Sequence, residues 1–157
     1  MISSYLSGGK SSPMQKKIVD EKKMALQLFA FNYAQEDYGM YLIAGLPMGD
    51  TTREALQKEI DAEITKLQTE LISERDYQKL QNDFENRYVS QNSDLEGLAE
   101  NLATNYLLYG DINLINEEIE IYRSITREEI RDIAKKYLQS NARLLLDYVP
   151  AKEDSAK

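Results

Sequence analysis

Histidine, cysteine and tryptophan are all absent from the 157 residues. Without cysteine there are no disulfides, no thiolate nucleophile and no Cys-ligated zinc, and the compartment is left open. The lack of histidine excludes more, because it is the usual general base near neutral pH and the commonest imidazole metal ligand. A zinc site would have to be built from carboxylates alone, which is not how catalytic zinc is held. Ser-His-Asp and Cys-His arrangements are impossible. Long hydrophobic runs are missing as well: none approaches the ~20 residues of a membrane span, and no signal peptide is visible. Positive charge is in the minority, with 19 Lys and Arg against 27 Asp and Glu, a net charge of −8 and a pI of about 4.7. That balance argues against a nucleic-acid partner, which needs clustered Lys and Arg on the phosphate backbone.

With 42% hydrophobic residues, the chain can bury a core of its own, and its length suits one domain. The organising stretch is residues 23–49. Two β-rich runs, residues 24–33 and 40–46, flank the polar connection AQEDYG, which predicts an antiparallel hairpin. Both runs are apolar on both faces, so both faces need cover. The expected register places Phe29, Phe31, Tyr41 and Ile43 on one face and Leu26, Leu28, Leu42 and Ala44 on the other. The aliphatic set suits packing on the helices, which leaves the aromatic set for a partner or substrate. A slip of one residue would exchange the faces.

Helical patterns fill most of the remaining chain. Residues 1–6 read as the last turn of a helix. In SGGKSSP, Ser12 is a candidate N-cap and Pro13 a candidate first helical residue, followed by Met14, Ile18 and Val19. The GGKS string invites a phosphate-binding reading, but that motif needs glycine six positions before Lys10, where Ser4 stands, and a strand leading in. A flexible loop before a helix is the expectation. Thr51 and Glu54 form a capping-box pattern ahead of Leu56, Ile60, Ile64, Leu67 and Leu71 at helical spacing; Glu54, Glu59, Asp61, Glu63 and Lys66 are read as a solvated face. Ser73 and Asp76 open the next helix, with Tyr77, Leu80, Phe84 and Tyr88. A further stripe runs through Leu95, Leu98, Leu102, Tyr106 and Leu107 to a stop at Gly110. Ile112, Ile115, Ile119 and Tyr122 mark another amphipathic segment. Thr126 and Glu129 cap a last helix carrying Ile130, Ile133, Ala134, Tyr137 and Leu138. Residues 143–149 read as a strand stopped by Pro150, and residues 151–157 as a disordered tail. There is no internal repeat. The eleven tyrosines mostly fall at helical or strand spacing, as packing residues do.

The order loop–helix, hairpin, long helices, Thr-capped helix and final strand carries a resemblance. With the wording LSGGKSSPMQKKIVDEKKMAL, ITREEIRDIAKKYL and LLLDYVP, residues 5–150 resemble the non-catalytic, C-terminal-type domain of the insulinase-like (M16, pitrilysin) zinc metallopeptidases. The resemblance implies an α+β, two-layer sandwich: an antiparallel sheet made of the hairpin and the C-terminal strand, with the helices on one face. It covers residues 1–150 as a single domain lacking the family's first strands and most of its first helix. Family zinc and general base come from a His-x-x-Glu-His motif in a separate catalytic domain, so no cofactor is expected in this chain, with zinc in the associated domain or subunit. The implied partners are that catalytic domain or subunit, a peptide substrate and, for the chain alone, a second copy. The implied role is to close a chamber and grip peptide. Ser7, Gly8, Gly9 and Lys10 would be a short form of the family's substrate-handling loop, and Phe29, Phe31 and Tyr41 would face substrate. Where relatives carry Arg-Gly-Leu-Ala-Tyr, this chain has Lys23-Met24-Ala25-Leu26-Gln27, so the substrate-holding role of that Arg and Tyr is not carried over. The competing expectation is a non-proteolytic scaffold of the same family. Either is compatible with a soluble chain in the cytoplasm or periplasm.

The isolated chain is expected neither to retain zinc nor to cleave peptides. Metal analysis after dialysis and a peptide-library assay check this; stoichiometric zinc with turnover that survives purification would contradict it.

Overall fold

The computed structural model describes residues 1–149, so the tail expected at 151–157 lies outside the described residues. Helix α1 (Ile2–Ser7) ends where the Gly8 amide donates to the Ser4 carbonyl at 2.9 Å. A Cβ at Gly8 would stand 2.5 Å from that same oxygen, so only glycine closes this turn. The next helical segment is wound as a π-helix over Gln15–Glu21. Its Lys22 amide reaches back five residues to the Lys17 carbonyl, at 3.0 Å. Met14 and Ile18, four apart, fall on one side and are fully buried together with Leu6. Lys23, at φ 52, then turns the chain sharply into the hairpin.

The hairpin forms as its sequence predicts: β1 (Ala25–Ala34) pairs antiparallel with β2 (Gly39–Pro47). A two-stranded hairpin is marginal in water unless something packs on it. Leu28 and Ala30 are buried in one cluster with Leu6, Met14 and Ile18, and Tyr41 and Ile43 pack against its margin. Beyond it, α2 (Arg53–Thr69) starts at Thr52, whose hydroxyl accepts from the Ala55 amide at 3.2 Å. The cap is therefore one residue later than the expected Thr51. Helix α3 (Glu74–Gln91) is capped by Ser73, and α4 (Leu95–Tyr109) by Asp94. Gly110 stops α4 in the left-handed conformation, φ 72, where a side chain would be strained. Helix α5 (Leu114–Ser124) precedes α6 (Arg127–Tyr137), which has both bonds of the Thr126–Glu129 capping box. Leu56 and Leu67 of α2 and Ile130 and Ala134 of α6 join the core. The Gln68 amide closes the end of α6 by donating to the carbonyls of Ala134 (3.3 Å) and Leu138 (2.9 Å).

The result is an α+β fold, and several local expectations change. Among the described residues the sheet has two strands. Residues 143–149 join no strand among the described residues and are tied to α2 by ion pairs of Arg143 with Asp61 and of Arg53 with Asp147. The later Asp147 meets the earlier helix residue, so the segment runs antiparallel to α2, and its leucines point to solvent. Glu63 is buried instead of solvated, and the Lys17 ammonium donates to it at 2.6 Å. The α2 stripe closes on buried Ile72, not Leu71. The apolar stripe of α4 faces outward: Leu95 and Leu107 are 85% and 80% exposed. Its inward residue is the buried Asn105, whose amide donates to Asn101 at 3.1 Å. Ile133 and Tyr137 of α6 are exposed.

Burial pushes the hydroxyls of Tyr5, Tyr41, Tyr88 and Tyr122 above the ordinary tyrosine value, Tyr5 from 10.0 to about 12. A raised folded-state pKa means that the folded chain holds its proton longer than the unfolded one. The stabilisation is complete below pH 10 and is lost as pH rises towards 12. Urea midpoints should therefore hold steady up to about pH 9.5 and fall between 10 and 12, together with a late tyrosinate absorbance step.

Candidate functional site

The candidate site is the hairpin face turned away from the helices, and its composition follows from the turn. The last pair is Ala34 with Gly39, and the Gln35 amide closes the turn on the Tyr38 carbonyl at 2.9 Å. With four residues between the pair, odd positions on β1 lie opposite even positions on β2. Phe29 pairs with Ala44, Phe31 with Leu42 and Tyr33 with Met40, and opposed residues share a face. The expected grouping of Phe29 and Phe31 with Tyr41 and Ile43 is therefore corrected. Tyr41 opposes Asn32 and Ile43 opposes Ala30, on the helix side. A bulge between Ala25 and Gln27 shifts Leu26 to 54% exposure, away from Leu28, because one extra residue changes the side on which a strand's residues fall.

Phe29 and Phe31 are 48% and 40% exposed, and their rings stack with centroids 6.0 Å apart. Tyr33, Met40 and Leu46 are also about half exposed. Tyr41 lies on the other side, with its hydroxyl buried. Its pKa rises by burial, which the neighbouring Ser3 hydroxyl partly opposes. This corrects Tyr41 as a substrate-facing candidate.

The loop and the aromatic face are joined by Ser7, the first residue of the expected substrate-handling loop. The Ala30 amide points away from β2 and donates to the Ser7 hydroxyl at 2.7 Å, so the end of α1 docks on the edge of β1 between Phe29 and Phe31. The exposed residues Gly8, Gly9 and Lys10 leave directly from that contact. The loop then folds on itself. The Gly9 carbonyl accepts from the Ser12 amide at 2.9 Å and the Ser12 hydroxyl at 2.6 Å, and Lys79 of α3 donates to Ser11 at 2.6 Å. A helix leads into this loop where a phosphate-binding loop would have a strand. The even number of turn residues was the available signal for Leu42 and Met40; the contact of Ser7 with Ala30, 23 residues away, had none.

The residues present do not fit a catalytic metal. The chain has no histidine or cysteine, and among the described residues no group of three acidic side chains is arranged to hold an ion. No helix among them is long and apolar enough to cross a membrane.

The described residues form an α+β fold that leaves one hairpin face uncovered. No protein-family model matches the chain. It is 28% identical over 141 residues to the zinc protease PqqE of Helicobacter pylori, covering 88% of this chain and 31% of that protein, so the chain spans about a third of that relative's length. A solved Helicobacter pylori protease superposes with a TM-score of 0.81 at 26% identity, over 90% of this chain and 34% of the other. The inactive peptidase domain of a putative zinc protease from Bordetella parapertussis shares the fold, with TM-score 0.83 and 17% identity over 99% of this chain and 82% of that one. Over most of its length the chain is thus a homologue of zinc proteases, in agreement with the M16-type domain its sequence resembles.

Replacing Phe31 by Ser should cost about 1 kcal/mol or less in urea unfolding and make the chain more monomeric in sedimentation. Ile18→Ala, in the sealed core, should cost about 2–5 kcal/mol. A loss of that larger size for Phe31→Ser would place the ring in the core.

Proposed function

We propose that this chain acts as the non-catalytic domain of an M16-type zinc peptidase, with the outer hairpin face forming one wall of the peptide chamber. The observation that carries this is the uncovered face itself: two stacked phenylalanines, flanked by Tyr33, Met40 and Leu42, beside the Gly8–Gly9–Lys10 loop. Such a surface takes up the side chains of an extended peptide without requiring charge on it, and its burial supplies binding energy in proportion to apolar area. The chain's own residues provide grip and exclusion of water; zinc and the general base belong to a separate domain or subunit carrying His-x-x-Glu-His. Support comes from the zinc-protease relatives and from a solved inactive peptidase domain of similar fold.

The test adds this chain to the His-x-x-Glu-His domain or subunit from the same genome and follows cleavage of a peptide library. Cleavage should rise on addition, and Phe29→Ser with Phe31→Ser should lower kcat/KM by about tenfold, or 1.4 kcal/mol, without changing zinc content. Cleavage indifferent to the chain would favour the scaffold reading.

A further inference from the structure

An open cavity of about 240 Å3 lies between α3, α4 and α5, away from the hairpin face. Phe84 and Tyr88 of α3 and Tyr122 of α5 form an aromatic wall, with Phe84 stacked on both tyrosines. The polar groups are held in place by their neighbours. The Tyr88 hydroxyl donates to the Ile115 carbonyl at 2.5 Å, and the Asn101 amide donates to Asn92 at 3.0 Å.

Two opposite charges face this space without meeting each other. Arg87 spends its hydrogen bonds on neutral oxygens, the Asp83 carbonyl at 3.2 Å and the Ser4 hydroxyl at 3.3 Å. Glu118 lines the same cavity from α5, and the nearby Arg123 is already engaged by Glu85 and Glu120. Burial raises the Glu118 carboxyl pKa, which Tyr88 partly opposes. Both charges act on the Tyr122 hydroxyl, Arg87 lowering its pKa and Glu118 raising it, and all three side chains line the cavity.

We propose that this cavity binds a compact zwitterion, a free α-amino acid, with its carboxylate on Arg87, its ammonium on Glu118 and its side chain against Phe84 and Tyr122. A simple anion would meet Glu118 and a simple cation would meet Arg87; a molecule carrying both charges satisfies both walls with charge-assisted hydrogen bonds. The size agrees, since drug-sized ligands occupy about 300–1,000 Å3 and this space is smaller. The site shares no element with the hairpin face and stands whether or not the chamber reading holds.

The experiment titrates the 15N-labelled full chain with L-phenylalanine, using N-acetyl-L-phenylalanine (no ammonium) and phenethylamine (no carboxylate) as controls. Saturable shifts should centre on residues 84–91, 101 and 115–122, and each control should bind at least tenfold more weakly. Arg87→Gln should lose discrimination between L-phenylalanine and phenethylamine, and Glu118→Gln between L-phenylalanine and its N-acetyl form. Both variants should keep the parent melting temperature to within a few degrees, because Arg87 is exposed and Glu118 only partly buried. Shifts that do not saturate, equal binding of the three compounds, or variants that melt early and retain discrimination would overturn the proposal.

Discussion

Burial of Leu28 and Ala30 against Leu6, Met14 and Ile18 is the contact on which the remaining structure depends. The two strands of the hairpin bond to each other and not to a third strand among the described residues, so the hairpin cannot hold its own inner face dry. Three fully buried side chains from α1 and the π-helical segment do this, each worth about 1.5–3 kcal/mol on burial. Together they are comparable with the ~5–15 kcal/mol net stability of a whole domain. The same packing leaves the other hairpin face without a layer of its own, so the element that anchors the fold also presents the candidate site.

Charge plays a secondary part, and its weight depends on depth. Lys17 and Glu63 join the π-helical segment to α2 across 46 positions of sequence, and Glu63 is buried, so removing Lys17 would strand an acid away from water. The pairs that hold residues 143–149 along α2 lie at half-exposed side chains, where such bonds are worth about 0–1 kcal/mol. The segment is therefore tethered much more lightly than the helix beneath it.

Local signals were legible in the residues. Ser73, Thr126 and Gly110 stand where helices start and stop, and the hairpin ends fall within a residue or so of their expected places. Long-range signals were not. The stripe on α4 announces an apolar face but not its direction, and here it faces water while Asn105 turns inward. The strand pattern at residues 143–149 states a preference for extended backbone, and without an adjoining strand in register that preference gives an unpaired segment. For Tyr41, the number of turn residues decides the face, and period-two patterning alone cannot tell one face from the other when both are apolar. The pairing of Glu63 with Lys17 connects positions that no local motif links.

Outward Leu95 and Leu107 on α4, the half-open hairpin face and the exposed leucines of residues 144–146 give the molecule three apolar surfaces. Contact between these surfaces on two molecules is opposed by their shared negative charge of −8, a repulsion that fades within about 10 Å at 0.1 M salt. That protection vanishes near the isoelectric point of about 4.7. Colloidal behaviour should therefore be governed by acidity: the fold's own carboxylates act as the spacer between apolar faces, and a compartment that turns acidic would bring those faces into contact.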